Sequence, residues 1–136
     1  EGTGAFFLRG GAFSSPATDY ARFLQMYLNK GIYNGKRLLS RLTVEMIMAN
    51  HIGDLWGGAG ANEHLGLAFS VLTPRGQDFG GLGSAGTFSW GGYFNTQYFA
   101  DPKEQVIGIL MKQTRNISGD NTGWKFRQLV FQTIND

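Results

Sequence analysis

At 136 residues the chain is one domain or part of one, long enough for a real core. A hydrophobic share of 42% and a charged share of 16% exclude a disordered chain, and a net charge of +2 with no Lys/Arg run beyond Lys36-Arg37 excludes a nucleic-acid surface. Cys is absent, which removes disulfides and thiolate chemistry, and no apolar run approaches the roughly 20 residues of a membrane span.

In chain order, residues 1–14 combine Gly2, Gly4, Gly10 and Gly11 with Phe6, Phe7 and Phe13, and read as an irregular loop. A helix follows, with Ser15 as N-cap and Pro16 in its first position. Tyr20, Phe23, Leu24, Tyr27 and Leu28 give it one apolar face, and Gly31 suits the position past its end. Ile32 to Leu39 reads as a hairpin turning at Asn34-Gly35. Ser40 caps a second helix, with Val44, Ile47 and Met48 on its buried side.

Residues 50–64 read as a long Gly-rich loop. His51, Asp54, Glu63 and His64 lie in or beside it, but no metal-ligand spacing occurs, so they are expected as surface residues with no metal. Leu65 to Leu72 alternates as a single strand, and Pro74-Arg75-Gly76-Gln77 turns the chain.

The stretch from Gly83 to Thr114 organises the rest. Thr87–Trp90 ends in Gly91-Gly92, and two aromatic-rich runs then flank the polar turn Asp101-Pro102-Lys103-Glu104. This is the outline of an antiparallel meander. A last helix, from about Asn121 to Ile134, is capped by Ser118, Asp120 or Asn121 and presents Phe126, Leu129, Val130 and Ile134 to the sheet. From the residues alone, Trp90 reads as a packed aromatic and the two glycines after it as a bulge.

Several pieces together resemble the serine β-lactamase-like family. Gly10-Gly11-Ala12-Phe13-Ser14-Ser15 with Asp19-Tyr20-Ala21-Arg22-Phe23-Leu24 is similar to that family's Gly-Gly-Gly-Leu-x-Ser-Thr-x-x-Asp-x-x-Arg-Phe. Gly35-Lys36-Arg37-Leu38-Leu39-Ser40 followed by Thr43-Val44 resembles its Gly-x-x-Leu-Leu-Ser-x-x-Thr-Val, and Leu65-Gly66-Leu67-Ala68-Phe69 its Gly-Leu-Gly-Phe strand. Trp90-Gly91-Gly92, then Phe99-Ala100-Asp101-Pro102-Lys103-Glu104 and Ile107-Gly108-Ile109, resembles the branch with class C β-lactamase-like esterases (family VIII carboxylesterases) and D-aminopeptidase-like hydrolases.

The resemblance implies an α+β fold and only its C-terminal part. Residues 1–64 would be a helical and loop part, and residues 65–136 would hold the last three strands of an antiparallel sheet and a closing helix. The family's nucleophile motif Ser-x-x-Lys is absent: none of Ser14, Ser15, Ser40, Ser70, Ser84, Ser89 and Ser118 has Lys three residues on. Its second motif, Tyr-x-Asn or Tyr-x-x in a loop, would lie upstream; Tyr33-Asn34 is not it because it lies on the hairpin, and Tyr93-Phe94-Asn95 is not it because it directly follows the third motif. The chain starts at Glu1 instead of Met, as expected for a processed product, an expressed piece or a fragment.

What carries over is the third motif, here Trp90-Gly91-Gly92. The resemblance implies that these three residues bind substrate and that the backbone N–H of Tyr93 completes an oxyanion hole. Trp90 would wall the pocket without the positive charge that Lys provides in β-lactamases, which favours neutral esters or amides. The chain would need no cofactor. Its partners would be a small-molecule ester or amide and the N-terminal half of the same fold, or a second copy through the exposed edge of the Val106–Met111 strand. Extracytoplasmic location is common in that family. The alternative is a non-catalytic binding module on the same scaffold.

Overall fold

The computed structural model describes residues 15–55, 61–115 and 118–134. The Gly-rich stretch at residues 1–14, and with it most of the Gly10–Ser15 segment, lies outside them.

The first helix, α1 (Ala17–Leu28), starts one residue later than expected. Pro16 is the N-cap in extended conformation, and its carbonyl accepts from Asp19 and Tyr20. Ser15 therefore does not cap; its hydroxyl donates to Pro16 O at 3.0 Å. At the other end Lys30, not glycine, takes the left-handed position (φ 52°), with Lys30 N–H bonded to Tyr27 O and Gly31 N–H to Met26 O. That is the paired bonding of a Schellman motif. Gly31 serves a different purpose: at φ 89°, a Cβ there would collide with Leu39 O.

A small hairpin, β1 (Ile32–Tyr33) and β2 (Lys36–Arg37), turns at Asn34 and Gly35. Both have positive φ, 48° and 72°, as a type I′ turn requires. Helix α2 (Arg41–Met48) follows, with the Ser40 hydroxyl accepting from Thr43 N–H at 2.9 Å.

The sheet is larger than the three strands expected from sequence. It has five antiparallel strands in chain order: β3 (Glu63–Leu65), β4 (Ser70–Leu72), β5 (Phe88–Gly91), β6 (Gln97–Asp101) and β7 (Val106–Leu110). The stretch read as one strand from Leu65 to Leu72 is the hairpin β3–β4, and strand structure starts at Glu63 instead of residue 65. The bend is closed locally by Gly66 N–H on Phe69 O at 2.8 Å and is anchored from outside the segment. Leu67 N–H donates to Ile47 O at 2.8 Å, and Gly66 lies so close to Ile47 O that a Cβ would collide with it. Leu67, assigned inward by alternation, is exposed as a result. Pro74–Asp78 is a short helix, α3, not a simple turn, because the Thr73 hydroxyl caps Gly76 N–H.

One sheet face carries Val71, Phe88, Tyr98, Ala100, Ile107 and Ile109 and packs on Leu24, Tyr27 and Leu28 of α1. The aromatic rings interlock there, with Tyr27 edge-on to Phe69 at 5.0 Å and Tyr20 at 4.8 Å from Tyr98. The opposite face carries Phe99, which lies against Phe126 and Phe131 of α4 (Thr122–Phe131). Gly108 leaves room for the Phe99 ring. Leu129, expected on the buried side of α4, is exposed, and Phe131 stacks on Phe99. Neither end of the sheet order has a further partner among the described residues, so β3 and β7 are its edges. No helix among them is long and apolar enough to cross a membrane.

A fully buried carboxylate closes the far end of the meander. Asp101 Oδ2 accepts from Ser84 N–H (2.7 Å) and the Thr87 hydroxyl (2.9 Å), and Oδ1 accepts from Lys103 N–H and Glu104 N–H (2.9 and 3.1 Å). Burial alone would raise its pKa, but the bonds from Ser84, Glu104, Thr87 and Lys103 outweigh burial and hold the carboxyl below its ordinary value. All four partners are donors, so only the ionised form satisfies them. A depressed folded-state pKa gives stability that is complete above the unfolded-state value near 4 and is lost as pH falls through the folded-state value. Asp101→Asn is expected to cost about 3 kcal/mol at pH 7, or about 10 °C in Tm, because its amide nitrogen faces other donors. The gap to wild type should narrow in thermal melts below about pH 4. A gap unchanged between pH 7 and pH 3 would refute the ionised-acceptor account.

Candidate active-site edge

Strand β5 outruns its neighbour on one side. Toward β6 it is paired along its whole length, Phe88 with Ala100 through Gly91 with Gln97. Toward β4 the pairing ends at Ser70 and Ser89. Trp90 and Gly91 thus present an open strand edge beside the β3–β4 turn. The Gly92 N–H donates to Thr96 O at 2.7 Å, continuing the ladder to β6. Antiparallel alternation then turns the backbone groups of Gly91 the other way, toward the open edge.

The two glycines differ. A Cβ on Gly92 would collide with Thr96 Oγ1, so a larger residue there would have to turn the Thr96 hydroxyl aside. A Cβ on Gly91 would meet nothing nearer than Thr96 O at 3.5 Å, and Gly91 is not in the left-handed region. Neither sterics nor backbone conformation requires a bare position at Gly91; glycine there leaves the sheet face next to the open edge without a side chain.

After β5 the chain makes a tight turn, with Asn95 N–H bonded to Gly92 O at 3.0 Å and Asn95 at φ 61°. Phe94 O accepts from Thr114 N–H at 3.2 Å. Between these bonds the Tyr93 N–H has no hydrogen-bond partner among the described residues. The Tyr93 ring is exposed, edge-on to Phe94 at 5.2 Å, with the Arg115 guanidinium 4.8 Å above its centroid. A cation therefore stands over the Tyr93 ring although Trp90 brings none; nothing in the spacing of Arg115 from Trp90 pointed to it.

Trp90 is half exposed and lines a cleft of about 480 Å³ with Ile52, Asn62, Glu63, His64 and Ser70. Glu63 and His64 are thus on a strand, not a surface loop. The Glu63 carboxylate accepts from the Ser70 hydroxyl at 2.5 Å, and His64 Nε2 lies 2.9 Å from Met48 O. His51 Nε2 is likewise engaged by Met46 O at 2.6 Å. Neither imidazole reaches a serine hydroxyl, so the described residues hold no Ser–His pair. No group of three or more His, Asp or Glu that could hold a metal occurs among them.

Behind the turn is a polar cluster that the sequence reading missed. Lys112 Nζ contacts Asp120 Oδ2 and donates to Thr122 Oγ1 at 2.6 Å. Asp120 Oδ1 accepts from Thr122 N–H at 3.0 Å, so Asp120 is the group that satisfies the start of α4. Hydrogen bonds from Lys112 and Thr122 hold the Asp120 carboxyl well below the usual carboxylate range. Asn95 Nδ2 joins the cluster through Thr114 Oγ1 and Asp120 Oδ2, at 3.1 and 3.3 Å. The left-handed preference of Asn in a Gly-rich turn was the available sequence signal.

Comparison with known proteins agrees with this architecture. Two proteins of Mycobacterium tuberculosis, "Protein Rv1367c" (strain ATCC 25618 / H37Rv) and "Uncharacterized protein MT1414" (strain CDC 1551 / Oshkosh), are each 33% identical to the chain. Each alignment covers 76% of this chain but only 28% of the relative, so the chain spans little more than a quarter of their length. The solved structure of "EstCE1, a hydrolase with promiscuous acyltransferase activity" superposes with a TM-score of 0.59 at 22% identity, over 83% of this chain and 29% of that one. This likeness concerns the fold: the five-stranded sheet and its helices match part of a β-lactamase-like hydrolase fold. Residues 4–131 match the family model described as Beta-lactamase, and with nearly the whole chain so matched, it belongs to the beta-lactamase family.

Proposed function

We propose that the chain is the C-terminal segment of a serine hydrolase that cleaves an ester, amide or β-lactam bond through an acyl-enzyme. The observation that carries this reading is the Tyr93 N–H, left without a partner at the end of a strand whose Gly91 edge is bare. Such a donor, beside a free strand edge, suits an oxyanion and the acyl chain attached to it. Trp90 walls the cleft, and Gly91 and Gly92 let the substrate approach the backbone. The nucleophilic serine, and the Lys and Tyr that activate it, belong to the rest of the protein. Attack by the serine oxygen on the carbonyl builds the oxyanion at Tyr93 N–H. Its collapse expels the alcohol or amine with a proton, and water then releases the acid and frees the serine. The outer edge of β7 receives a strand from that remaining part, or from a second copy.

A second reading, a non-catalytic binding module, is favoured by one fact: no Ser-x-x-Lys occurs in the chain. A fluorophosphonate probe on the full-length protein separates the two. Labelling of a serine outside these 136 residues, with turnover of p-nitrophenyl esters, is expected; absence of both supports the binding module, and labelling of a serine within this chain overturns the segment reading.

Two substitutions in the full-length protein test the site. Tyr93→Pro removes the N–H and should lower kcat by about 10²–10³-fold with little change in KM, whereas Tyr93→Phe should behave as wild type. Gly91→Ala should leave stability within about 1 kcal/mol and lower kcat/KM by about 10- to 100-fold, because the methyl group displaces the acyl chain and not the fold. Unaltered steady-state kinetics in Tyr93→Pro would remove Tyr93 from the mechanism.

A further inference from the structure

The turn that carries Tyr93 is held from outside its own strand pair. Asn95, two residues after Tyr93, sends its side-chain amide to Thr114, beyond β7, and to Asp120, ahead of α4. Thr114 is bound to the turn a second time, through its N–H on Phe94 O. Asp120 is itself fixed by Lys112 Nζ and by the N–H and hydroxyl of Thr122, the first residue of α4. The Lys112 and Asp120 side chains are only 15% and 14% exposed, so this ion pair is shielded, unlike Arg22–Asp19 and Arg41–Glu45 on the surface. Two chain segments, Lys112–Thr114 and Asp120–Thr122, therefore converge on one tight turn. The two ends of that turn are bonded, and the group between them, Tyr93 N–H, is not.

We propose that Asn95, through Asp120 and Lys112, is a positioning residue that aims the Tyr93 N–H at the open edge of β5. This rests on the assignment of that N–H as an oxyanion donor. An oxyanion donor is effective only when it is held in place before charge develops, so that no reorganisation is required during the reaction. Two backbone bonds hinge Gly92 and Asn95, and the Thr114 N–H ties Phe94 O to the segment after β7; the Asn95 amide reinforces that tie at Thr114 Oγ1 and adds a second anchor, at Asp120 ahead of α4, which removes the remaining freedom to tilt. The ion pair does not touch the substrate. Its effect is to keep Asp120 ionised and aimed at Asn95.

Asn95→Gly in the full-length protein is the decisive substitution. Glycine accepts φ 61° without strain, so the turn persists while the Nδ2 donor is lost. The expected result is a Tm within a few degrees of wild type, a nearly unchanged KM, and kcat lower by about tenfold or more. Amide exchange of Gly92, Asn95 and Thr114 should accelerate by about tenfold. Asp120→Asn should act in the same direction, and the double variant should be no worse than the poorer single variant, because both break one connection. Wild-type kcat and wild-type exchange in Asn95→Gly would overturn the proposal. If Tyr93→Pro is impaired while Asn95→Gly is not, only the clamp is wrong. If Tyr93→Pro is unimpaired, the oxyanion assignment fails and the positioning role falls with it, whatever the exchange rates.

Discussion

The ladder between β5 and β6 is the constraint on which the rest depends. Its register, Phe88 with Ala100 through Gly91 with Gln97, decides which side chains face α1 and which face α4. A shift of one residue would exchange Phe88 and Ala100, both buried against α1, with Ser89 and Phe99, and the two-sided core could not form. The same register, carried one step further by Gly92 N–H on Thr96 O, directs the backbone of Gly91 to the side where β4 has already ended. Core packing and the open edge are thus two consequences of one pairing.

Both ends of this ladder are closed by a carboxylate, in different ways. At the Asp101 end the carboxylate is wholly buried and accepts four donors, three backbone N–H groups and one hydroxyl, with no cation bonded to it. Such an arrangement fixes backbone geometry, since the donors belong to two separate loops. At the Tyr93 end Asp120 accepts from a lysine, a helix N-terminus and an asparagine. Here the carboxylate joins three elements and is mostly, but not wholly, shielded. The rigid end lies away from the open strand edge; the ionic end lies beside it.

Some of the chain could be read directly. Asn34-Gly35, Ser40 and the strand–turn–strand order from Phe88 to Leu110 depend on contacts only a few residues apart, so their residue types carry the information. The β3–β4 hairpin did not show itself because Leu65 to Leu72 alternates well enough to be one strand; besides the local bond from Gly66 N–H to Phe69 O, the bend is anchored by Ile47 O, 20 positions before Leu67, whose N–H it accepts. The N-cap of α1 was misplaced by one residue because both Ser15 and Pro16 suit a helix start, and only the backbone settles which is extended. Helical spacing places Leu129 inward, but it is exposed, and Phe131 stacks on the ring of Phe99 beside Phe126.

Sequence by itself determined the fold class, the family to which the chain belongs, and Trp90-Gly91-Gly92 as the place to look, because short motifs in a fixed order survive in a linear reading. Only the tertiary structure decided that the sheet has five strands, that Gly91 is bare without any packing need, that Tyr93 N–H is unpartnered, and that Arg115 stands over the Tyr93 ring. The link from Asn95 to Asp120 spans 25 positions. Nothing in local propensity encodes a contact of that range; it exists because β7 and α4 return the chain to the turn that follows Trp90-Gly91-Gly92.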